Sequence, residues 1–184
     1  MTMESVRPRD VLDFWFGAGP EKWFKKSDAF DADIKRRFGE AHRAAAEGRF
    51  DDWMGNAQGA LALIILLDQF SRNLYRGDHR AFLQDPKALS LADEAVRRRF
   101  DVETPVTVRK WFYMPYMHAE DLAAQERGLV YFAERLDDPE TMKFAVEHRD
   151  IIHRFGRFPH RNAVLGRVTT PEEQSFLDEG GFAG

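Results

Sequence analysis

Cysteine is absent from the 184 residues. Disulfides, thiolate metal sites, iron–sulfur clusters and a cysteine nucleophile are thereby excluded, and the lack of thiols fits a reducing cytoplasm. Long apolar runs are missing as well. The longest, Gly59 to Leu67 (GALALIILL), stops at Asp68, well short of the ~20 residues a membrane span requires. The opening MTMESVRPRD is charged and lacks the apolar core of a secretory signal, so the expectation is a cytoplasmic protein without membrane association. No stretch alternates apolar and polar residues as a half-buried strand does. There is no His-Glu-x-x-His pattern, no Gly-x-x-x-x-Gly-Lys phosphate loop and no Gly-x-Gly-x-x-Gly turn. Neither a metal nor a nucleotide cofactor is therefore expected. The formal charge of -4 and the pI near 5.9 oppose nucleic acid as a partner.

What is present is helical patterning. Phe30, Ile34, Phe38, Ala41 and Ala45 recur at three- and four-residue steps, as do Leu89, Ala92, Val96 and Phe100. Asp85-Pro86, Thr104-Pro105, Asp138-Pro139 and Thr170-Pro171 each set a capping oxygen before a proline, a combination that starts helices. Thr170 and Glu173 also have capping-box spacing. The patterns predict helices near 8–16, 28–48, 56–75, 86–100, 106–135 (bent or interrupted at Pro115), 139–156 and 171–178. The expected fold is one all-α domain over residues 1–184, built of antiparallel helix pairs as a compact bundle or a short superhelix. The stretch DPKALSLADEAVRRRF looks a little like a tetratricopeptide helix, although no period of about 34 residues recurs. Sixteen phenylalanines and four tryptophans promise an aromatic core.

Polar chemistry falls on several apolar faces. Asp68 and Arg72 continue the face of Leu61, Ile64 and Ile65, with Gln69 at its edge. They are either an ion pair closing the core or part of a cleft. His118 shares a helical face with Leu122 and Leu129, flanked by Asp121 and Gln125. His148 lies in the stripe of Phe144, Ile151, Ile152 and Phe155, whereas Arg149, His153 and Arg157 make a neighbouring strip that reads as a solvated basic face. Residues 148–167, HRDIIHRFGRFPHRNAVLGR, carry a net +4, so the remainder of the chain sums to -8. Gly156 is the expected helix cap there, and Pro159 stops the helix. Arg157, His160, Arg161 and Asn162 are then displayed by a rigid loop, and arginine forks of this kind suit carboxylate or phosphate.

The segments LDQFSRNLYRG, YMPYMHAED, HRDIIHRFGRFPHRNAVLGR and TTPEEQSFL resemble, in order, the bacterial domain of unknown function 924 family. The resemblance spans most of the chain and implies an all-helical, tetratricopeptide-like fold, with no established activity. Carried onto this sequence, the family's polar positions fall on Asp68, Gln69, Arg72, Asn73, His118, Glu120, His160, Arg161 and Asn162. On a regular helix Glu120 would project ~160° from Leu122. Either Pro115 distorts the segment or Glu120 serves another surface.

The reading that follows is a cleft rich in arginine and histidine that binds a small anionic molecule or an acidic peptide end. Its candidate ligand-binding residues are the nine motif positions together with His148 and Arg157. The alternatives are a scaffold that offers a groove to a protein partner, and a small hydrolase or lyase that uses His118 or His160.

Overall fold

The structure, a computed structural model, describes residues 6–182. The helices in order are α1 (Pro8–Ala18), α2 (Pro20–Trp23), α3 (Asp28–Ala46), α4 (Ala57–Leu74), α5 (Asp85–Arg97), α6 (Phe100–Glu103), α7 (Val106–Arg109), α8 (Met114–His118), α9 (Leu122–Arg135), α10 (Pro139–Phe155) and α11 (Pro171–Asp178). Short 3-10 turns lie between several of them, and no strand occurs among the described residues. None of these helices is long and apolar enough to cross a membrane.

α4 is the axis of the fold. Asn56 caps it by accepting the Gly59 N–H at 2.9 Å, and every residue from Gly59 to Ser71 is buried. A helix apolar on nearly all sides must be surrounded, and α1, α3 and α5 pack around this one. Fully burying each of its Leu and Ile side chains is worth roughly 1.5–3 kcal/mol, so this helix dominates the apolar stabilisation. The aromatic residues extend the same core. Trp15 packs edge-on to Trp111 with ring centres 5.1 Å apart, and its carbonyl accepts the Trp23 indole N–H at 2.7 Å.

A second, smaller apolar cluster of Ile151, Ile152 and Phe158 stands apart from the main core. Leu122, Phe155, Phe176 and Phe182 pack against it.

Two of the four capping expectations hold. Asp138 accepts the Thr141 N–H at 3.0 Å, and Thr170 with Glu173 forms the capping box. The other two differ. Gln84 takes the N-cap of α5, which moves Asp85 one residue inside the helix and frees its carboxylate for other partners. The Thr104 hydroxyl donates back to the Phe100 carbonyl at 2.8 Å and so closes α6 instead of starting α7. Gly156 ends α10 as expected. Its φ of 69° lies in the left-handed region that glycine adopts without strain.

The long helix expected over 106–135 is four pieces, with a 3-10 turn at Lys110–Phe112 between α7 and α8. Pro115 begins α8 instead of kinking a continuous helix, and the chain then runs extended through residue 119. Asp121 restarts it, accepting the Ala124 N–H at 2.6 Å. The backbone carbonyls freed by the break, those of Met117 and Ala119, accept the Gln125 amide at 2.6 and 2.9 Å. Asp121 and Gln125 are thus spent on the break and not on a ligand.

Candidate functional site

The end of α4 turns polar while still inside the protein. Asp68 is 1% exposed and accepts the Gln69 amide at 2.6 Å. Its carboxylate also meets the Nδ1 of His118, from the end of α8, at 2.8 and 3.0 Å. Arg72 approaches Asp68 at 3.3 Å, the expected pairing one turn along the helix. Its closer partner is one the sequence did not reveal. Arg72 grips Asp85, in the first turn of α5, with two parallel bonds of 3.0 and 3.1 Å.

Arg161 reaches the same carboxylate from the 3-10 turn at Pro159–Arg161, at 3.3 Å, and donates to the His118 carbonyl at 3.1 Å. Its guanidinium is held between the rings of Phe82 and Phe158, at 4.4 and 4.5 Å from their centres. Phe158 is in turn 5.5 Å from the His148 ring, so Arg161 and His148 share one aromatic neighbour. His160 and Phe182 complete the group: Phe182 lies 4.5 Å from His148 and 5.2 Å from His160. Residues from α4, α5, α8, α10 and the 159–161 turn therefore converge.

Four expected residues lie outside this group. Glu120 sits in the break between α8 and α9, where it accepts the Phe158 N–H at 2.8 Å and pairs with Arg167 at 2.6 and 2.9 Å. Arg167 continues to Asn162, Asn162 to Glu173, and Glu173 to Arg157, the last at 2.6 and 2.9 Å. This second network pins the 157–170 loop to α11 and uses Glu120, Asn162 and Arg157 as internal ties. Asn73 points elsewhere and donates to Asp31 on α3 at 2.8 Å. Of the expected basic strip only His153 is exposed: Arg149 is half-buried and pairs with Asp150, and Arg157 is engaged with Glu173.

Sequence reasoning missed Asp85, Phe82, Arg167 and Glu173. Asp85 and Glu173 gave signals, both of which read as capping. Phe82 gave none, and Arg167 was visible only as one more charge in the basic stretch.

Electrostatics single out Arg161. Burial, reinforced by repulsion from Arg72, lowers its pKa to about 10 despite Asp85, Glu120 and Asp68. Its Nε is buried and has no hydrogen-bond partner, as is the Nδ1 of His160. The histidines respond to the same field. Burial, then His118, Arg161 and His160, push His148 down to about 4 against the pull of its bond to the Phe144 carbonyl. Burial and Arg161 bring His160 to about 4 as well. For His118, burial and Arg72 outweigh the attraction of Asp68 and lower the pKa.

Burial alone would raise Asp68, but the charges of His118 and Arg72 and the bonds from His118 and Gln69 bring it to about 2. With His118 neutral, the Arg72 charge and the Nδ1–H bond remain to keep Asp68 ionised. At neutral pH the pair is an imidazole donating to a carboxylate. Among the described residues no three histidine or acidic side chains are grouped closely enough to hold a metal ion.

A family model described as a bacterial protein of unknown function (DUF924) matches residues 11–181. The chain belongs to this family. A solved structure of a protein of unknown function, ATU0120 from Agrobacterium tumefaciens, is similar to it at 48% identity. That match covers 94% of this chain and 97% of the other, with a TM-score of 0.90. A comparison with curated proteins finds no match. In this DUF924 chain the resemblance motifs thus divide into one converging group around Arg161 and His118 and one network that ties down the loop beside it.

Proposed function

We propose that the group around Arg161, His118, His148 and His160 binds a small anionic molecule. The observation that carries this reading is Arg161: a guanidinium 6% exposed, between two phenyl rings, with an unpartnered Nε and a share of one carboxylate already gripped by Arg72. A buried cation with incomplete compensation is stabilised by an incoming anion. His118 retains 12% exposure of its side chain, enough for a small molecule to reach its edge.

The test is thermal unfolding with phosphate and dicarboxylates against chloride at matched ionic strength. Binding to the native state raises stability by about 2.7 kcal/mol when the ligand is 100-fold above its dissociation constant. An anion-specific rise in melting temperature is expected in the wild type and should be lost in Arg161→Lys, which keeps the charge but not the planar fork. The reading fails if wild type shows no anion-specific rise, or if Arg161→Lys retains it. The scaffold reading would then stand, since Arg72, Arg157 and Arg167 are all satisfied by internal carboxylates.

A further inference from the structure

We propose that this site takes its anion together with a proton, so that a protonated oxyanion such as hydrogen phosphate is preferred to sulfate. The inference rests on the anion-binding reading above and narrows it to a ligand class. Its basis is which ring nitrogens are already used.

The Nδ1 of His148 is 2.8 Å from the Phe144 carbonyl, which can only accept, so that nitrogen carries the hydrogen. The Nδ1 of His118 contacts both oxygens of the Asp68 carboxylate and carries its hydrogen for the same reason. In a neutral imidazole the opposite nitrogen, Nε2, is then a lone-pair acceptor. Among the described residues neither Nε2 has a hydrogen-bond partner.

Arg161 is linked to both residues. Its Nη2 donates to the carbonyl of His118, and it packs on the same Phe158 ring as His148. The group thus combines a buried cation, whose Nε–H has no partner, with two imidazole acceptors. Sulfate presents acceptor oxygens alone and would set lone pairs against the imidazoles. Hydrogen phosphate presents oxygens to Arg161 and a P–O–H to an imidazole.

The remaining route is for an imidazole to take a proton from solvent, which has the same overall stoichiometry. The groups facing His118 are Asp68 and Arg72 from α4 and Asp85 from α5, while His148 faces His118, His160 and Arg161. Arg72 and Arg161 oppose imidazolium formation, and a bound anion offsets them. Anion and proton therefore favour each other's binding.

The experiment measures binding of inorganic phosphate, methyl phosphate and sulfate to the full chain by calorimetry and thermal shift at pH 7.5 and 5.5. Phosphate should bind at least about tenfold more tightly than sulfate at pH 7.5, because a site of fixed acceptors penalises a ligand that lacks the donor; methyl phosphate, whose second pKa of about 6 leaves it a dianion without a P–O–H, should bind no better than sulfate. At pH 5.5 methyl phosphate is largely the monoanion with one P–O–H, and its affinity should rise towards that of phosphate. His148→Gln, which adds an amide donor, should raise sulfate relative to phosphate; His118→Gln is the second variant should the first not fold. Equal binding of sulfate and phosphate at pH 7.5, lost in Arg161→Lys, would overturn the proton coupling and leave the anion site standing. Absence of binding by any of the three at both pH values would overturn both.

Discussion

Arg72, 13 residues before Asp85, and Arg161, 76 residues after it, both come to its carboxylate, the first with two bonds and the second with one. The unequal shares give the residues a rank. Asp85→Asn removes the carboxylate from both arginines and leaves Arg72 with Asp68 and Arg161 with no carboxylate in contact, a loss expected to cost roughly 3–5 kcal/mol. Arg161→Ala leaves Asp85 still held by Arg72 and should cost less, roughly 1–3 kcal/mol. Urea unfolding of the two variants checks the order, and an Arg161→Ala loss as large as that of Asp85→Asn would show that the pairing is misassigned. Residue type was a good guide here and residue partner was not. Asp68, Arg72, His118, His148 and Arg161 were all legible as polar groups set against apolar faces. Asp85 was hidden because an aspartate before proline also suits a helix cap, and local spacing carries no trace of a partner 76 residues away.

At the level of helices, apolar periodicity identified α3, α4, α5 and α10 to within a few residues. Over 106–135 the interruption expected at Pro115 is present, since α8 begins there, but the second helix break, between α8 and α9, was not foreseen and is marked by Asp121 and Gln125. That break matters for the site: it ends α8 at His118 and releases Glu120 to tie down the neighbouring loop. α9 folds back closely on α8 at Gly128, where an added Cβ would lie 2.7 Å from the Cβ of Tyr116. Neither atom is the free end of a side chain, so one helix would have to move. Gly128→Ala should therefore destabilise by roughly 1–3 kcal/mol, even though alanine favours an exposed helix by about 1 kcal/mol. Because Tyr116 is two residues before His118, the same substitution should also weaken anion-dependent stabilisation. A Gly128→Ala protein at least as stable as wild type in equilibrium unfolding would contradict the close contact.

Across the whole molecule, the main core runs from α1 to the first half of α10, and the smaller cluster joins the end of α10 to the 158 loop and α11. The polar group lies at the seam between them, with His148 three residues after Ala145 of one and three before Ile151 of the other. Hydrophobic patterning anticipated both sets of apolar residues but not their separation, which depends on how the 157–170 loop folds back. A seam made of hydrogen bonds and ion pairs lets one side come loose while the other keeps its packing, because little shared apolar surface would be exposed. Amide hydrogens in α11 and the 157–170 loop should therefore exchange with solvent deuterium through a partial opening, at a lower free energy than those of α4. Their protection should also fall less steeply with added denaturant, the mark of an opening that exposes little surface. Uniform protection across the two regions would mean that they open as one. If they do open separately, an anion bound at Arg161 as proposed above would work as a latch, slowing exchange in α11 while leaving α4 unchanged.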